Sequence, residues 1–103
     1  MEIIMKNMML ERITEVCDGV YYGSETDKTK EITGAVIDSR QVEPGYLFIA
    51  VKGEKVDGHR FIPQVFEKGA LAVLSEQELS DPAGPYIRVE STLGAMKKLA
   101  AYY

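Results

Sequence analysis

The sequence predicts an α/β fold in which helices flank a small sheet, and three observations carry that expectation. Apolar runs at 32–37, 46–51, 70–74 and 86–89 have the length of strands and are bounded by turn-forming residues. Helical periodicity occurs before, between and after them, from Asn7, at about 60–68, and beyond Ser91. The second run, Tyr46-Leu47-Phe48-Ile49-Ala50-Val51, is apolar without a break, as expected of a central strand covered on both faces.

From Asn7, the segment NMMLERITEVCDG offers a candidate N-cap in Asn7 and apolar Leu10, Ile13 and Cys17 at helical spacing, with Met9 and Val16 beside them. Gly19 is placed to stop that helix. YYGSETDKTKE mixes glycine, threonine and charges and reads as an exposed connection. The alternating run Ile32–Ile37 is a strand ending at Asp38, and Pro44-Gly45 makes the turn into the central strand. After a glycine-punctuated loop, Ile62, Val65 and Phe66 share a helical face, Pro63 is compatible only with a first turn, and Gly69 ends the helix. Ala70–Leu74 is a third strand, SEQELSDPAGP an exposed loop, and Tyr86–Val89 a fourth strand. Ser91 or Thr92 caps a last helix with Leu93, Met96, Ala100 and Tyr103 on one face. That helix meets the end of the chain with no glycine, proline or polar tail, and so reads as cut.

Composition narrows the function classes. At 103 residues, 46% hydrophobic and 27% charged, the chain fits one globular domain with a modest core. A net charge of −4 without a Lys/Arg run disfavours nucleic acid as a partner but permits a local anion site. Cys17 has no second thiol to pair with, and His59, the only histidine, has no cluster around it from which to build a zinc site. A reducing cytoplasm is the simplest home. The opening MEIIM is too short and too interrupted for a signal-peptide core, and no run approaches the roughly 20 apolar residues of a membrane span.

The densest stretch is 38–59, DSRQVEPGYLFIAVKGEKVDGH. Ligands of α/β sheets commonly sit beyond the carboxyl ends of strands. If the first two predicted strands are parallel neighbours, Asp38-Ser39-Arg40 and Gly53–His59 meet at one edge. Each group also has a plain structural reading. Asp38 and Ser39 are ordinary turn formers; alternatively, Ser39 offers a hydroxyl and Arg40 a fork for a phosphate. Gly53 and Gly58 either punctuate the loop or let its backbone approach a ligand. Asp57 fits an N-cap as well as a contact, and His59 fits capping, packing or ligand contact. Cys17 on an apolar face is core, and nothing near it marks a nucleophile. No acid–base pair emerges by spacing, and no GxxxxGK[ST] loop occurs.

The ordered set Asp38-Ser39-Arg40, Pro44-Gly45, Leu47-Phe48, Ala50, Gly53, Asp57-Gly58-His59, Phe61-Ile62 and Gly69-Ala70 resembles the N-terminal domain of the cytoplasmic Mur ligases, the ATP-dependent enzymes that extend the peptidoglycan stem peptide. The tail Val89–Ala100 is most similar to the members that add D-alanyl-D-alanine to the UDP-linked tripeptide; members that add the diamino acid share much of the DSR…PG…LF…DGH pattern. The resemblance covers about Met9 to Tyr103, and the apolar opening before it departs from the usual start.

This resemblance implies a small mixed sheet flanked by helices and a single N-terminal domain over 1–103, with the central ATP-binding and C-terminal domains, its partners in the complete protein, lying elsewhere. It implies that the domain grips a UDP-N-acetylmuramoyl peptide, with Ser39 and Arg40 as contacts to the UDP moiety. The loop Gly53, Glu54, Lys55, Val56, Asp57, Gly58, with His59, is implied as the segment facing the uridine and diphosphate. ATP and Mg2+ are implied for the complete enzyme, with none bound by this chain, and neither nucleic acid nor membrane is an expected partner. A competing expectation keeps the same residues without catalysis, as a free-standing nucleotide-sugar-binding or interaction module.

Overall fold

A computed structural model describes residues 2–3 and 7–102. Its centre is a mixed sheet of six short strands: β1 (Glu2–Ile3), β2 (Val20–Tyr22), β3 (Gly34–Val36), β4 (Tyr46–Ile49), β5 (Ala72–Ser75) and β6 (Tyr86–Arg88), in the order β1-β3-β4-β5-β6-β2. The four inner strands run parallel, and β1 and β2 close the two edges antiparallel. Among the described residues four α-helices accompany the sheet: α1 (Leu10–Cys17), α2 (Glu25–Lys28), α3 (Ile62–Glu67) and α4 (Thr92–Tyr102).

Side-chain alternation along the inner strands divides the core into two layers. Leu47 and Ile49 of β4, with Ala72 and Leu74 of β5, pack against Leu10, Ile13 and Cys17 of α1 and Ala95 and Leu99 of α4. On the opposite face, Phe48 and Val73 meet Ile62 and Val65 of α3, with Val36 and Tyr86 beside them. The apolar run that predicted a doubly covered strand is β4, third in the sheet, with Leu47, Phe48 and Ile49 fully buried.

Several local expectations change. Asn7 does not cap α1. Its N–H donates to the Ile32 carbonyl at 3.0 Å, and Met8 and Ile32 are paired likewise, so residues 7–9 lie alongside 30–32 and the helix starts only at Leu10. At the other end, Asp18 takes the left-handed conformation (φ 56°), and the Gly19 N–H closes onto the Thr14 carbonyl at 3.0 Å. The connection expected over 21–31 contains most of β2 and all of α2, which is capped by the Ser24 hydroxyl accepting the Asp27 N–H at 3.1 Å. The predicted helix at 60–68 is a 3₁₀ turn, Gly58–Phe61, running into α3, with Pro63 in the first turn and Gly69 (φ +98°) just past the end.

The last helix is rotated relative to the predicted face. Its buried residues are Thr92, Ala95 and Leu99, whereas Leu93 and Ala100 are exposed. The cap sets this phase: the Ser91 hydroxyl accepts the Gly94 N–H at 3.0 Å, while Thr92 turns inward and its N–H and Oγ1–H both donate to Glu76 Oε2, at 2.9 and 3.1 Å. Tyr103, placed on that face by spacing, lies outside the described residues, as do Met1, Ile4 and Met5 of the apolar opening. Among the described residues no helix is long and apolar enough to cross a membrane.

The rotated face gives a direct test by denaturant unfolding. Leu99→Ala should cost about 2–5 kcal/mol, as expected of a fully buried leucine, and Leu93→Ala should stay within about 0.5 kcal/mol of the parent.

Candidate functional site

Parallel pairing of β3 with β4, in the register Gly34↔Tyr46, Ala35↔Leu47 and Val36↔Phe48, makes the chain leave both strands at the same edge of the sheet. A cleft of about 610 Å³ opens there. Ile37, Asp38, Ser39 and Arg40 form the side that follows β3; Val51, Gly53, Val56 and Gly58 form the side that follows β4. Phe61, Gln64 and Lys68, from the 3₁₀ turn and α3, complete it. A hollow of similar size, about 640 Å³, between α1 and β2 carries Glu11, Glu15 and Glu25 against Lys28. Its charge disfavours an anionic ligand, whereas the first cleft sets two cations against one carboxylate.

On the β3 side, Asp38 caps a 3₁₀ turn over Ser39–Gln41. Its Oδ1 accepts the Arg40 N–H at 2.9 Å, and its two carboxylate oxygens accept Nε–H and Nη2–H of the same arginine at 3.0 and 2.8 Å. Hydrogen bonding by the Arg40 side chain, then by its backbone N–H, holds the Asp38 carboxyl down at about 2. The consequence for Arg40 is that its fork, predicted as a phosphate clamp, is turned onto its own neighbour. Across the cleft, Lys68 Nζ donates to the Ser39 carbonyl at 2.9 Å, joining the end of α3 to this turn.

On the β4 side the loop folds back on itself. Gly53 N–H donates to Val56 O and Gly58 N–H to Val51 O, both at 2.9 Å, around an isolated bridge between Lys52 and Asp57. Neither Gly53 nor Gly58 is among the glycines with positive φ, so unusual dihedrals are not why they stand there. A Cβ on Gly58 would sit 3.0 Å from both Val51 N and Val51 O, tighter than ordinary contact. The close approach that Gly58 permits is therefore to the chain's own strand end. Val56 is exposed on the loop, 47% accessible, and offers the cleft an apolar surface.

Asp57 and His59 turn inward. Asp57 Oδ1 accepts the His59 N–H at 3.0 Å and lies 2.7 Å from its Nδ1. Glu76 N–H donates to Nε2 at 2.9 Å, so Nε2 carries the lone pair and Nδ1 the proton. Bonding to the backbone and then to the ring of His59 lowers the Asp57 carboxyl below its ordinary value. With Glu76 Oε2 holding Thr92, a continuous hydrogen-bonded chain runs from the loop after β4 to the start of α4.

Of the positions singled out in the sequence, Ser39, Arg40, Gly53, Val56 and Gly58 meet in the cleft. Glu54 and Lys55 lie on the exposed turn beside it and are not among its lining residues. Asp57 and His59 do not line it either, and both ring nitrogens of His59 are engaged within the chain. Cys17 is core, its thiol pushed up to about 11 mainly by burial, which removes it as a nucleophile. Phe61, Gln64 and Lys68 were missed. The only sequence signal for the last was a lysine at the end of a helix that the βαβ arrangement returns toward the preceding loop.

Residues 31–103 match the family model described as "Mur ligase family, catalytic domain". The chain is 43% identical over 97 residues, 93% of its length, to UDP-N-acetylmuramoyl-L-alanyl-D-glutamate--2,6-diaminopimelate ligase of Geobacter sulfurreducens, and 43% identical over 82 residues to the Listeria monocytogenes protein of the same name. It superposes with a TM-score of 0.81 and 27% identity, over 97% of its length, on UDP-N-acetylmuramoylalanyl-D-glutamyl-2,6-diaminopimelate--D-alanyl-D-alanyl ligase from Acinetobacter baumannii. It spans 19% and 16% of the two curated relatives and 22% of the solved chain.

Two outcomes follow from the site's hydrogen bonds. Asp38 should titrate near 2 by carboxyl NMR and move up toward 3.8 in Arg40→Met; because the folded value is the lower one, the pairing stabilises the fold above 3.8 and that contribution is lost as pH falls through about 2. His59→Leu leaves the Glu76 N–H without its partner and the Asp57 carboxylate with only the backbone N–H of residue 59, and should cost about 1–3 kcal/mol in denaturant unfolding.

Proposed function

This chain belongs to the Mur ligase family, and we propose that residues 1–103 are a single N-terminal unit that grips the UDP-N-acetylmuramoyl end of a stem-peptide precursor during peptidoglycan synthesis. The observation that carries this reading is the convergence of Ser39, Arg40 and the loop 53–58 on one cleft at the carboxyl edge of parallel strands. The cleft has the parts such a ligand needs. Ile37, Val51, Val56 and Phe61 offer apolar surface for a base and sugar, and the Ser39 hydroxyl and the Lys68 ammonium offer donors for phosphate oxygens.

For the whole protein we propose an ATP-dependent ligase that joins an amino-acid amine to the peptide carboxylate. The sequence has no GxxxxGK[ST] loop, and we propose that ATP and Mg2+ are held by other domains of the complete protein. No chemical step is assigned to residues 1–103. Their contribution is binding energy taken from the remote, non-reacting end of the substrate and used to position the carboxylate elsewhere. For the amine, the higher identity to the 2,6-diaminopimelate ligases favours that diamino acid as the group added. Addition of D-alanyl-D-alanine is the second reading, favoured by the fold likeness and by the tail Val89–Ala100.

Calorimetry of the 103-residue chain with UDP-N-acetylmuramoyl-L-alanyl-D-glutamate tests the site. Ser39→Ala should weaken binding about tenfold to a hundredfold, the worth of one hydrogen bond to a charged oxygen; equal binding by both proteins would remove Ser39 from the site. Incubated with ATP, that substrate and 2,6-diaminopimelate, the chain alone should form no amide, and any product would overturn the assignment of binding without catalysis.

A further inference from the structure

We infer that Lys68, and not Arg40, supplies the positive charge that holds the diphosphate in this cleft, so that Lys68 sets the preference for UDP over uridine; the inference rests on the cleft being the UDP site. The two cations of the cleft differ in what already occupies them. Arg40 lies against Asp38 through two side-chain bonds of 3.0 and 2.8 Å, with Oδ1 of the same carboxylate also fixed by the Arg40 N–H. The pair is close to neutral as a unit, and the side-on edge of the guanidinium, Nε–H with Nη2–H, is already used, so Arg40 brings little net charge to a phosphate. Drawing it onto a phosphate would leave Asp38 as an uncompensated negative charge beside the ligand's own.

Lys68 stands on the other wall. Among the described residues its ammonium has one hydrogen-bond partner, the Ser39 carbonyl at 2.9 Å, and no carboxylate within ion-pair distance. A carbonyl takes one of three donors and cancels no charge, so two N–H groups and the full positive charge remain available. The same bond keeps the ammonium beside Ser39, whose hydroxyl is the other donor proposed for the phosphates. The lysine is anchored without being neutralised, and its flexible stem lets it follow a diphosphate more readily than a fork locked in a ring of bonds.

The test is an NMR titration of the 103-residue chain with UDP and with uridine, for wild type, Lys68→Met and Lys68→Arg. Lys68→Met should weaken UDP about tenfold or more, leave uridine unchanged and flatten the salt dependence of UDP binding, and Lys68→Arg should restore most of the UDP affinity. Thermal unfolding should not move, because Lys68 is exposed. Wild-type binding of UDP that Lys68→Met retains in full would overturn the inference and leave the site standing. An equal loss of UDP and uridine would also overturn it, by showing that Lys68 shapes the cleft instead of charging it. Failure of the wild type to bind either ligand would overturn the site reading itself.

Discussion

Everything at the candidate site depends on β3 and β4 being parallel neighbours. Had the short connection between them reversed the second strand, the DSR turn and the 51–58 loop would leave from opposite edges and share no cleft. The pairing is held by burial. Ala35 and Val36 on one strand and Leu47, Phe48 and Ile49 on the other are shielded on both faces, so a one-residue slip would send Phe48 toward α1 and α4 and Leu47 toward α3. The Tyr46 end of β4 is pinned as well: the Gly45 N–H donates to Gly69 O at 3.0 Å and the Leu71 N–H to Tyr46 O at 2.8 Å, tying the start of β4 to the start of β5. The cleft is a consequence of core packing before it is a consequence of its own polar residues.

The same local device recurs after both strands, directly after β3 and at the close of the loop that follows β4. Asp38 and Asp57 both have extended backbones, both cap a 3₁₀ turn, and both accept the N–H and a side-chain nitrogen of the residue two positions on. What differs is that second residue. Arg40 stays exposed at the cleft, whereas His59 is buried and passes the connection inward to Glu76 and on to Thr92. One aspartate thus settles the electrostatics of the cleft, and the other fastens the loop to the body of the fold. The substitution His59→Leu therefore reports on architecture, and Lys68→Met on charge.

The inner strands were legible because unbroken apolar runs admit few alternatives once a short chain must bury them. β2 and α2 were not legible: Tyr21 is half-buried between exposed Val20 and Tyr22, and the strand exists because β6 offers an edge, a fact absent from its own residues. The face of α4 was misread by about one residue, since Leu93 and Leu99 look alike in sequence and only the Ser91 cap and the Glu76–Thr92 bonds decide between them. At the site, the motif order carried Ser39, Arg40 and the loop, but not the fact that Asp38 already occupies Arg40, nor that Asp57 and His59 face each other. Those are distances between side chains, and no spacing rule encodes them. Lys68 was invisible for the same reason: it lies far along the chain from Ser39, and α3 brings it back.

The most direct test of the account is a map of backbone amide shifts in the 103-residue chain as UDP is added. The perturbed amides should cluster at 37–40, 51–58 and 61–68, with the far side of the molecule, at 11–17 on α1 and 20–22 on β2, unchanged. Perturbation centred on that far side, or saturating binding that leaves 37–40 and 51–58 unmoved, would contradict it.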